Sequence, residues 1–115
     1  MSPSRVIVLS RHSLFAEGIS NRLRQRAENI ELHNIDSRDP DVLAKVIDMH
    51  PAAVILDGSD SELDRLCPMA TVFEALPSLK FLRIDPQYHH VQVVTSEQHP
   101  AEEIGDLIGL IQPQT

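Results

Sequence analysis

An α/β fold, with a doubly wound and mostly parallel five-stranded sheet, is what three features of this 115-residue sequence predict. Apolar, β-branched runs such as Val6–Leu9 and Ala53–Leu56 are unbroken, as in strands covered on both faces. Between the runs lie stretches with apolar residues at helical spacing, and strand alternating with helix implies parallel pairing with right-handed crossovers. Only residues 85–90 separate the last two runs, whereas a parallel return needs about a dozen residues. The fourth crossover helix is therefore missing, and the fifth strand should run antiparallel to the fourth in a hairpin.

Each element has its own warrant. After the first strand, Leu14, Phe15, Ile19 and Leu23 mark a helix with Ser13 as candidate N-cap. Gly18 inside it costs ~1 kcal/mol relative to Ala, for which close packing on the sheet is the expected compensation. Ile30, Leu32 and Ile35 form a more polar strand, nearer an edge. Asp39-Pro40-Asp41 opens a second helix with proline in its first turn, Leu43, Val46, Ile47 and Met49 make its stripe, and His50-Pro51 ends it. The third helical stretch carries Leu63, Leu66, Met69, Val72, Phe73 and Leu76. Pro68 delays its start or splits it in two. Leu79–Ile84 and Val91–Val94 are the last strands. Pro100-Ala101 opens a final helix with the cleanest stripe of all, Ile104, Leu107, Ile108 and Ile111, and Gln112-Pro113 closes it.

Length and composition bound the function. Residues 1–115 fit one domain, with a hydrophobic fraction of 42% that can fill a core. No apolar run approaches the ~20 residues of a membrane span, and the first residues lead straight into a strand rather than a signal peptide, so a cytoplasmic protein is expected. A net charge of −7 argues against nucleic acid; Arg22, Arg24 and Arg26 lie near a helix end, where the dipole favours cations. The single cysteine, Cys67, excludes an intramolecular disulfide and a thiolate metal cage, and reads as a small buried hydrophobe.

The segment Val8-Leu9-Ser10-Arg11-His12-Ser13-Leu14-Phe15-Ala16-Glu17-Gly18 resembles the first strand and helix of response-regulator receiver domains, many of which read V-V-D-D-H-P-L-F-R-E-G. Pro51-Ala52-Ala53-Val54-Ile55-Leu56-Asp57 is similar to the family's P-D-V-V-L-L-D, with Asp57 at the phosphoacceptor position. The resemblance runs from Arg5 to about Ile84 and implies a flavodoxin-like sheet. Receiver chemistry needs two acids after the first strand to hold Mg²⁺ with the acceptor. Here Ser10 and Arg11 stand in their place. The hydroxyl and lysine that end the family's fourth and fifth strands have only Asp85 and Ser96 as counterparts, and no lysine follows Lys80. The resemblance thus implies a degenerate acidic pocket of Ser10, Arg11, Asp57, Asp85 and Ser96, with no metal and no cofactor.

A guanidinium beside the acceptor position should pair with Asp57 and exclude a divalent cation; the plainer reading has Asp57 cap the turn after its strand. The adjacent pair His89-His90 points to opposite faces in extended chain and does not chelate one ion. His12, His33, His50 and His99 lack ligand spacing. Ser96 has no flanking glycines of the kind a nucleophile elbow uses.

These readings converge on a phosphorylation-independent pseudo-receiver, not an enzyme, that works by binding a protein partner. The alternative is an atypical receiver phosphorylated on Asp57 in a two-component phosphorelay, with Asp85 or Asp60 replacing lost metal ligands. A third class is a sensor holding an anion around Arg11, Asp57 and Ser59. Tyr88, Val91 and Val93 are the interface candidates, because the edge strand 91–94 carries neither charge nor proline to discourage pairing. Either another chain adds to that edge, a homodimer being the first candidate, or Pro86, Tyr88 and the last helix cover it.

Overall fold

The unbroken apolar runs form the middle of the sheet in the computed structural model, which describes residues 3–85 and 90–112. In chain order the elements are β1 (Ser4–Leu9), α1 (Ser13–Arg26), β2 (Ile30–Ile35), α2 (Val42–Met49), β3 (Ala53–Asp57), α3 (Leu63–Leu66), α4 (Met69–Ala75), β4 (Lys80–Asp85), β5 (His90–Val94) and α5 (Ile104–Ile111). The strand order is β2-β1-β3-β4-β5. The first four strands are parallel; β5 is antiparallel to β4, with Val94 opposite Phe81 and Val91 opposite Ile84. The short connector therefore has the expected consequence. Pro68 splits the third helical stretch into α3 and α4, as an imide that cannot donate within a helix must.

Strand alternation deals the core to two faces. Ile7, Leu9, Val54, Leu56 and Phe81 meet Val42 and Val46 of α2, Leu63 of α3 and Val72 of α4. On the opposite face Val6, Val8 and Ile55 meet Ala16, Phe15, Ile19 and Leu23 of α1. Cys67 is buried with the first cluster, as a small hydrophobe.

Several local expectations are corrected. Leu14 is 84% exposed, whereas Phe15, Ile19 and Leu23 face the sheet as expected, joined by Ala16 and Ser20. Ser20 is accommodated there because its hydroxyl donates to the Asn34 side chain of β2 at 2.9 Å. The N-cap of α1 is His12, without a side-chain bond, rather than Ser13. Gly18 faces open space: a Cβ added there meets no atom within 4 Å, so helix-to-sheet packing does not account for it. Gly58 is the glycine that packing requires. A Cβ there would lie 2.7 Å from the Ile84 carbonyl oxygen, which accepts the Gly58 N–H at 2.7 Å and ties the end of β3 to β4.

The carboxyl-terminal part departs from this layered order. A capping box between Glu103 and Asp106 starts α5 at Ile104, yet every residue of the helix is exposed. Val91 and Val93 on β5 are exposed as well. No helix among the described residues is long and apolar enough to cross a membrane.

Candidate functional site at the carboxyl edge

Parallel β1, β3 and β4 end on one edge, which is where open α/β sheets gather ligands. Ser10, Asp57 and Asp85 stand there, immediately after β1 and at the ends of β3 and β4. Ser96 does not. Because β5 runs the other way and Val94 lies opposite Phe81 near the start of β4, the chain leaves β5 at the amino edge and carries Ser96 with it. The expected pocket of five residues is therefore divided by the very reversal that the short connector imposes. Tyr88 lies outside the described residues.

Asp57 is 3% exposed, and its carboxylate is engaged by its own turn. Oδ1 accepts the Ser59 N–H at 2.9 Å and the Ser59 hydroxyl at 2.6 Å, while the Asp60 N–H donates to the Asp57 carbonyl at 3.1 Å. This is the side-chain turn that aspartate followed two residues later by a hydroxyl residue favours. The expected pair with Arg11 is not formed. Arg11 is exposed, and no ion pair joins it to Asp57. A carboxylate already bonded by a local N–H and hydroxyl has less need of a distant guanidinium, whose own burial would cost hydration.

Ser10 is likewise turned onto its own chain, its hydroxyl accepting the His12 N–H at 2.9 Å. Asp60 accepts the Glu62 N–H at 3.0 Å, and the hydroxyl of Ser37 donates to it at 3.5 Å. Ser37 is fully buried at the end of β2 and was not among the residues that the sequence singled out. Its signal was only that it follows a strand on this edge. Asp57 and Asp60 are thus each committed to a turn. No group of three or more His, Cys, Asp or Glu suited to a metal occurs among the described residues.

Arg11 instead borders a cleft of about 270 Å³ between the ends of β1 and β2, with Ser10, Glu17, Asn34, Asp36 and Arg38. Its charges are balanced. Arg38 is bound to Asp36 at 2.8 Å, and that guanidinium holds the Asp36 carboxyl down to about 2. Asp57 and Ser59 do not line the cleft, so the residues expected to hold an anion together are apart. Asp39 is held below the usual carboxylate range chiefly by its hydrogen bond from Lys45, which fixes the loop before α2.

No family model matches this chain, and no curated protein or solved structure matches it either.

Proposed function

We propose that this chain is a degenerate pseudo-receiver, a cytoplasmic signalling module that does not depend on phosphorylation and acts by binding a protein partner. Three observations support the reading. The residues from Val8 to Gly18 and from Pro51 to Asp57 resemble receiver motifs while the acid pair is Ser10 and Arg11. The strand order β2-β1-β3-β4-β5 is that of flavodoxin-like sheets. The observation that carries it is the state of Asp57: buried, and hydrogen-bonded twice to Ser59 within its own turn.

A phosphoacceptor has to present a carboxylate oxygen in line with the donor phosphorus and to share a cation with the transferring group. Asp57 presents one oxygen to Ser59, and the neighbouring Asp60 is itself engaged by Ser37 and the Glu62 N–H. Incubation with acetyl phosphate and Mg²⁺, followed by intact-mass and peptide mass spectrometry, tests the reading. The expected result is an unmodified chain. A phosphoryl adduct on Asp57, absent from Asp57→Asn, would replace it with phosphoryl transfer in a phosphorelay.

A further inference from the structure

The antiparallel return of β5 leaves a platform on the face that α1 covers elsewhere. Leu82 and Ile84 of β4 point to that face, and their register partners Val93 and Val91 continue it onto the edge strand, where Val93 is 58% exposed. Val91 is 50% exposed, so both edge residues open to solvent. The same chain carries an equally uncovered helix. In α5, Ile104, Leu107, Ile108 and Ile111 fall at i, i+3, i+4 and i+7, one stripe along a rod about 12 Å long. Exposure along it runs from 45% at Leu107 to 76% at Ile111.

We infer that these surfaces belong to two copies of the chain, and that a two-fold homodimer forms by reciprocal docking of each α5 onto the β4–β5 platform of the other. Three facts select a second copy. Among the described residues each chain has one uncovered apolar stripe and one uncovered apolar platform, so reciprocal exchange satisfies both and closes without a remainder, as two-fold symmetry requires. The area is adequate: the exposed aliphatic surface of β5 and α5 together is on the order of 700 Å², close to the ~800 Å² per partner of a standard interface and above the largest patch of most monomers. The chain is also expanded in the manner of an exchanged arm. Its radius of gyration is 16.1 Å, against about 13 Å for a compact chain of this length.

Reach is no obstacle. Residues 95–103 have no regular structure, and nine residues span up to about 30 Å. The inference goes beyond the pseudo-receiver reading and uses neither Asp57 nor its chemistry, so either can fail alone.

Two singly substituted chains, Val93→Cys and Ile108→Cys, one carrying an affinity tag, test it. Both positions are exposed, whereas Cys67 is buried and stays out of the reaction. Light scattering should give twice the monomer mass for the wild type at high micromolar concentration, and Leu107→Asp should raise the dimer dissociation constant more than about tenfold. Mixing the two chains under mild oxidation should give a disulfide between tagged and untagged copies. A disulfide within one chain in a monomeric Val93→Cys/Ile108→Cys double variant would overturn the inference, because α5 would then cover its own sheet. So would a wild type that stays monomeric and unlinked, which would leave that face to a different protein. Dimers linked Val93 to Val93 but never to Ile108 would overturn the exchange in favour of edge-to-edge pairing.

Discussion

The helices α2 and α5 have the same length and the same kind of apolar periodicity, and they meet opposite fates. In α2, Val42 and Val46 are buried against Ile7, Val54 and Phe81. In α5 no residue is buried, although Ile104, Leu107, Ile108, Leu110 and Ile111 make it the more apolar of the two. The difference lies in their connections. The crossover to α2 starts and ends on parallel strands and returns it to the sheet, whereas β5 leads out of an antiparallel hairpin towards the amino edge. A stripe states that a helix needs cover. Topology decides whether its own chain supplies it.

The largest expected effect separates the packed body from the carboxyl-terminal arm directly. Phe81 is fully buried and meets Phe73 edge-on, with ring centroids 5.3 Å apart at 89°. Phe81→Ala should cost about 3–5 kcal/mol, a large share of the stability of a domain this size. Leu107→Ala should cost less than about 0.5 kcal/mol in protein dilute enough to be monomeric. Urea unfolding followed by circular dichroism at low micromolar concentration measures both. Comparable losses would show that α5 is part of the body.

The second test follows the single thiol. Burial pushes the Cys67 thiol from its ordinary 9.0 up to about 11. The folded chain keeps that proton where the unfolded chain loses it, so the stability it contributes is fully present below pH 9 and is lost as pH rises from 9 to 11, by about 3 kcal/mol. Cys67→Ala should flatten the stability profile in that window. At neutral pH iodoacetamide should leave Cys67 unmodified in the folded protein, yet label Ile108→Cys at once under monomeric conditions. Fast labelling of Cys67 in the native state would show that the body opens as readily as the arm.

Most of the sheet was legible because its signals are local. Unbroken apolar runs located β1 and β3, Pro68 divided α3 from α4, and residues 85–90 left no room for a crossover. What was not legible depends on phase and distance. Periodicity located α1 and its inward Phe15, Ile19 and Leu23, but placed the exposed Leu14 inside and missed Ala16 and Ser20, the latter held by Asn34 of another strand. At the carboxyl edge, the resemblance to receivers brought Arg11 and Ser96 to Asp57. Asp57 found its partner two residues away in Ser59, as the plainer reading of a turn cap had it, and the reversed β5 took Ser96 to the other end.

The smallest expected effect probes the same boundary with paired glycines. Gly18 in α1 and Gly109 in α5 are both helical, and a Cβ at either meets nothing within 4 Å. Intrinsic propensity alone therefore predicts the same gain for both, about 1 kcal/mol per Gly→Ala change in a helix interior. That gain appears in global stability only when the helix melts with the rest of the fold. α1 is fastened to the sheet through Phe15, Ala16 and Ile19, so Gly18→Ala should raise the unfolding free energy by about the full amount. In dilute monomer α5 has no buried residue to transmit its stability, so Gly109→Ala should add helical signal and leave the main transition unmoved. In protein concentrated enough to dimerise, the same change should strengthen self-association instead, because a helix already formed loses less entropy on docking. Equal shifts from both variants at low concentration would erase the division between body and arm, and with it the account of why α5 is uncovered.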